Sequence, residues 1–212
     1  MLSVSSAAFA ADERTSEHCD CTRTGQVVMA LRSPLVSLNR SATQSVSGVG
    51  FLWKPATVEH NWVYVVIHHS ATDSGSVESI HTEHRRRTDG LGNPWLGIGY
   101  HFVIGNGSGM EDGKVEATFR WKQQIHGAHS GSAVHNANGV GICLIGNFQN
   151  QQPTTKQLKA VTKLVTQLSD RYQIPARLVI GHNTVKPTAC PGKHFPLQDV
   201  IRDSVSEGKL NS

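Results

Sequence analysis

Apolar residues in this chain fall into two kinds of pattern, and the two interleave. Continuous apolar runs too short for a helix occur at residues 62–67, 140–145 and 178–180, rich in Val and Ile. Such runs predict strands buried on both faces, as in a sheet covered by helices. Residues 100–104 and 114–119 predict two more strands, and the Gly-rich stretch between them predicts a hairpin turn. That stretch leads into neither a helix pattern nor Gly-Lys-Ser/Thr, which argues against a phosphate loop. Helical spacing places Val77, Ile80 and His84 on one face of a predicted helix over 77–87, capped by residues 73–76 and ended by the Gly and Pro of 89–94. The clearest helix opens at Pro153-Thr154-Thr155-Lys156-Gln157, a Thr-x-x-Gln capping box. It carries Leu158, Val161, Leu164, Val165 and Leu168 on its apolar face and runs to about Tyr172. From Gln198 the chain reads as a closing helix that frays into a polar tail over 206–212. Strands alternating with helices predict an α/β fold: a single domain over 61–205, with a central mixed β-sheet flanked by helices.

Composition adds bounds to this picture. The chain has 212 residues, 38% hydrophobic and 17% charged, with a net charge of +4, a mildly basic surface that suits an anionic polymer. Nucleic acid is disfavoured as a partner, because the basic residues are scattered and Arg85-Arg86-Arg87, their only run, reads as a solvated helix face. No stretch approaches the ~18 apolar residues of a membrane span, and nothing in the pattern specifies an oligomer. Residues 1–10 are small and apolar and end in Ala8-Phe9-Ala10, the form of a signal-peptidase site. They predict the remnant of an export signal, against the plainer reading of a disordered terminus. Residues 11–60 read as a polar extension, part packed and part tether. Within it, Cys19-Asp20-Cys21 is too tightly spaced for a structural zinc knuckle.

The chemistry gathers at two strand ends. The run 62–67 ends in His68-His69-Ser70-Ala71-Thr72, and because side chains alternate along a strand, only one of the two histidines can face a given side. The run 178–180 ends in Gly181-His182 and continues through Thr188-Ala189-Cys190-Pro191-Gly192. Imidazole and thiolate are both good zinc ligands, so a third ligand from the first strand would complete a site with one position left open.

These blocks, together with Gly99-Tyr100-His101-Phe102, Gly127-Ala128-His129-Ser130 and Gly139 to Phe148, follow one another over about 62–196. In that order they resemble the zinc-dependent N-acetylmuramoyl-L-alanine amidases, the superfamily of amidase-type phage lysozymes and peptidoglycan recognition proteins. The resemblance implies one Zn2+ held by His68, His182 and Cys190 at the loop end of the sheet, with water as fourth ligand. It also implies Tyr100 and Thr188 supporting catalysis, His129 on substrate, and peptidoglycan or a muropeptide as substrate, which carries the expectation of an exported hydrolase. Two positions depart from other branches. Cys143 stands where some amidases carry a glutamate base, and Thr188 stands where phage enzymes carry a lysine, as in catalytic peptidoglycan recognition proteins. The rival readings are a binding module that does not cut, against which Cys190 argues, and a purely structural metal with His69 as fourth ligand. His101 and Cys143 read as structural, the latter as a buried apolar thiol.

Overall fold

The computed structural model describes residues 53–210, with side chains described to residue 206. The signal-like residues 1–10, most of the extension and Cys19 and Cys21 lie outside the described residues. Five strands form one sheet: β1 (Tyr64–His69), β2 (Phe102–Ile104), β3 (Val115–Ala117), β4 (Gly139–Leu144) and β5 (Val179–Gly181), in the order β3-β2-β4-β1-β5. β1 pairs in parallel with β4 and β5, β2 pairs in parallel with β4, and β2–β3 is the antiparallel hairpin, so the sheet is mixed as expected. The helices are α1 (Val77–His84), α2 (Phe119–Lys122), α3 (Ala133–Asn138), α4 (Thr155–Tyr172), α5 (His182–Val185) and α6 (Leu197–Leu210).

Alternation along the strands divides the core in two. Val65 and Ile67 of β1, Phe102 and Ile104 of β2 and Val140, Ile142 and Leu144 of β4 share one cluster with Val161, Leu164, Val165 and Leu168 of α4 and Val200 of α6. Val103 of β2 joins Ile98, Met110 and Ile145 in a second cluster, against which Val77 and Ile80 of α1 and Tyr100 pack. All six residues of β4 are therefore buried, which is why its sequence shows no alternation.

The α4 capping box is present as read: Thr154 Oγ1 accepts from Gln157 N, and Gln157 Oε1 accepts from Thr154 N. Three elements differ from the sequence expectation. The third strand stops at Ala117, because Thr118 caps a one-turn α2 and donates its hydroxyl to the Tyr100 carbonyl. Helix α1 closes at His84, with Arg85 as its cap, short of 87. α6 continues to Leu210, past the position where the polar tail was expected to begin. Before β1, Trp53 packs on the core and its carbonyl accepts from Trp121 Nε1, while Glu59 pairs with Arg171 and accepts from the Tyr172 hydroxyl. No helix among the described residues is long and apolar enough to cross a membrane.

Candidate metal centre

Because β1 and β5 are parallel neighbours, with Val65 beside Val179 and Ile67 beside Gly181, their C-terminal ends open on the same edge of the sheet. β1 ends there in His68-His69, and β5 runs directly into His182, the first residue of α5 and not a loop residue. The segment after α5 returns to bring in Cys190. His68, His182 and Cys190 each offer one ligand atom, and the three lie within 4.8 Å of one another. His68 Nδ1 is 3.7 Å from Cys190 Sγ, and the two imidazole ring centroids are 4.5 Å apart. Two ligands on one tetrahedral zinc, at about 2.0–2.1 Å for nitrogen and about 2.3 Å for sulfur, stand about 3.5 Å from each other. The donor set therefore fits a single ion, with a fourth direction left over.

Strand alternation decides between the two adjacent histidines. His69 turns to the α4 side, where its Nδ1 accepts from Phe148 N at 3.1 Å, so its ring is engaged away from the cluster. Its backbone N–H donates to Cys190 Sγ at 3.3 Å and thus serves the sulfur. Burial sets the protonation of the cluster. It holds His68 well below the ordinary histidine range and lowers His182 as well, so both are neutral and able to ligate. Burial also pushes the Cys190 thiol up to about 11, offset in part by the His69 N–H, so a cation entering here displaces a proton from sulfur.

Around the three ligands stand the other residues singled out in the sequence. Tyr100 is half-buried with its ring centroid 5.1 Å from that of His68. Burial, then the neighbouring Cys143 and Cys190 sulfurs, hold its hydroxyl above its usual range, so it stays a neutral donor. Cys143 is paired in register with His68 and shares its face of the sheet, with its sulfur 3.9 Å from the Leu144 carbonyl. It is a buried thiol, as the sequence suggests. Thr188 Oγ1 accepts from Cys190 N at 3.3 Å, which leaves its own hydroxyl hydrogen to donate elsewhere.

His129 is placed differently from the substrate groove expected for it. It is buried behind His68, with Nδ1 3.0 Å from His68 Nε2 and Nε2 3.2 Å from the Gly139 carbonyl, so neither ring nitrogen is free for a substrate. His126, its sequence neighbour, is exposed, and its carbonyl accepts from the buried Arg120, whose Nε also holds the Ile98 carbonyl at 2.6 Å. His101 is structural as read: its Nδ1 accepts from Gly141 N and its Nε2 faces the Ile125 carbonyl. Two partners of the cluster were not legible in the sequence: the Ser130 carbonyl, 3.1 Å from His182 Nε2, and Asn136, which holds the His129-Ser130 backbone. A backbone acceptor carries no sequence signal, and an Asn in a six-residue helix carries little.

Residues 59–193, which include all three candidate ligands, match the family model described as N-acetylmuramoyl-L-alanine amidase. The chain belongs to that family. Among the relatives of this amidase-family chain, peptidoglycan-recognition protein 2 of Holotrichia diomphalia is 32% identical over 172 residues, covering 74% of this chain and 79% of its own length. Peptidoglycan-recognition protein SC2 of Drosophila melanogaster is 30% identical over 162 residues, covering 74% and 77%. Among solved structures, the N-acetylmuramoyl-L-alanine amidase LysC from Clostridium intestinale superposes with a TM-score of 0.56 at 28% identity, over 77% of this chain and 95% of that one. The amidase fold is thus shared with proteins named as enzymes and with proteins named for recognition.

Proposed function

We propose that the protein is a zinc-dependent N-acetylmuramoyl-L-alanine amidase that hydrolyses the amide bond between N-acetylmuramic acid and L-alanine in peptidoglycan. The observation that carries this reading is the convergence of His68, His182 and Cys190 within 4.8 Å at the sheet edge, with a cysteine sulfur among the three donors. Family membership and the amidase neighbours support it. When bound, zinc would supply a Lewis acid for the amide carbonyl and bring the pKa of a bound water towards about 7. The chain's own residues do the rest. Tyr100 presents a neutral hydroxyl beside His68, placed to donate to the developing oxyanion or to orient the water. Thr188, fixed through its acceptor bond from Cys190 N, keeps its hydroxyl hydrogen available to donate. The net charge of +4 favours an anionic wall polymer, and such a substrate agrees with an exported protein.

The test is mass spectrometry of purified peptidoglycan incubated with the protein, with and without a chelator and then with zinc restored. Stem peptides beginning at L-alanine, lost with chelator and recovered with zinc, are the expected products. Several relatives are named for recognition, and retained binding to the polymer with no peptide released would make this protein a recognition module. Tyr100→Phe is expected to lower turnover about a hundredfold, the scale of losing one oxyanion donor, with zinc affinity unchanged. An unaltered rate in that variant removes Tyr100 from the mechanism.

A further inference from the structure

One short loop contacts both candidate histidine ligands from behind, at His68 Nε2 and His182 Nε2, which have no other hydrogen-bond partner among the described residues. We propose that residues 127–132, clamped by Asn136, fix the tautomers of His68 and His182 so that each presents Nδ1 to the metal. The proposal rests on the zinc reading above and adds to it a set of positioning residues.

The tautomers follow from donor and acceptor chemistry. The Gly139 carbonyl can only accept, so His129 Nε2, 3.2 Å away, carries the hydrogen. With its single ring hydrogen on Nε2, the buried His129 ring offers Nδ1 as a bare acceptor. His68 Nε2, 3.0 Å from that Nδ1, must therefore donate, which leaves His68 Nδ1 without a hydrogen on the side facing Cys190 Sγ at 3.7 Å. The next residue does the same for the other ligand. The Ser130 carbonyl accepts from His182 Nε2 at 3.1 Å, so His182 Nδ1 is likewise bare. Outer hydrogen bonds of this kind set ring orientation and raise ligand basicity.

The loop is tied down chiefly by Asn136, with the Ser130 hydroxyl bracing its turn against Ser132. Asn136 Oδ1 accepts from His129 N, Ser130 N and Ser130 Oγ, each at 2.9 Å, and the Asn136 carbonyl accepts from Gly127 N at 2.8 Å. The His129 ring lies in a slot that only glycine permits. A Cβ added at Gly127 would come within 2.3 Å of the ring, and one at Gly141 within 2.5 Å. The ring is thus held on both sides while its two nitrogens are bonded.

The test uses the full chain with 15N-labelled histidine, free of metal, and reads tautomers by long-range proton–nitrogen correlation. His68, His129 and His182 are expected to carry their hydrogen on Nε2. A hydrogen on Nδ1 of His68 or His182 in the wild-type protein overturns the proposal without recourse to any variant. Zinc affinity is then measured by competition with a chromophoric chelator. Asn136→Ala is expected to weaken zinc about ten- to a hundredfold and to give mixed tautomers at both ligands, while His129→Ala gives them at His68 alone. Asn136→Asp, which keeps the acceptor, is expected to recover most of the affinity. Zinc binding in Asn136→Ala as tight as in wild type refutes the clamp. Neither readout involves substrate, so correct tautomers and tight zinc in a protein that releases no peptide would sink the amidase reading and leave this one standing.

Discussion

Cys190→Ser is expected to lower peptide release by on the order of a thousandfold, the upper range for removing one charge-stabilising group from a preorganised site, and to weaken zinc binding while the fold survives. The cysteine sulfur brings the formal negative charge of the donor set; the two imidazoles are neutral. A serine hydroxyl at this position ionises far less readily and leaves an ion held by two imidazoles alone. A serine oxygen can still accept from the His69 N–H, Cys190 N is bonded to Thr188 Oγ1 whatever side chain follows, and the core clusters do not include residue 190. Circular dichroism and thermal melting of the metal-free variant should match wild type within a few degrees. Wild-type turnover in Cys190→Ser would show that the sulfur is not a ligand in the working enzyme.

The metal-free protein is expected to lose stability steeply below about pH 6. His84, His101 and His129 are buried, and burial draws all three below the ordinary value of 6.5, His84 to about 4 and His129 to about 3. In the unfolded chain each takes up a proton as pH falls through about 6.5, whereas in the fold it stays neutral to a much lower pH. The unfolded state thus binds more protons, and folding weakens as pH drops through that window. Each such group contributes a slope of about 1.4 kcal/mol per pH unit, so three reach about 4 kcal/mol per unit between about pH 6 and 4. Against a typical total of about 5–15 kcal/mol, most of the stability is gone before pH 4. Denaturant midpoints measured from pH 8 to pH 4 check this, and a flat profile from pH 7 to pH 5 contradicts it. His84→Gln, which removes one of the three groups, should flatten the slope by about 1.4 kcal/mol per unit.

The candidate His68-His182-Cys190 cluster was legible because its members are side chains and strands impose a period of two. Once the run 62–67 is a strand, His68 and His69 must face opposite sides, and the parallel pairing of β1 with β5 brings His68 to His182. The capping box at Thr154 was readable for the same reason: it is written in side chains at fixed spacing. What escaped is written in the backbone or in tertiary register. Nothing local in Val140 to Ile145 says that Cys143 will sit across from His68 and beneath Tyr100. Nor does anything local mark the Ser130 carbonyl as a partner of a histidine 52 residues away. The short helices α2 and α3 were missed because four and six residues are too few to show a period.

The same parallel pairing fixes when the centre can come into being. His68 and Cys190 are 122 residues apart, and between them the chain must lay down β4 and then β5 on either side of β1. Contacts of such separation close late, since the entropy of a long loop must be met before its contacts form. A nascent chain that has emerged only as far as α4 already has His68 and His129, yet lacks both His182 and Cys190. Assembly of the candidate metal centre therefore belongs to the last stage of folding, after the final strand has docked, and a chain truncated ahead of β5 lacks two of its three donors.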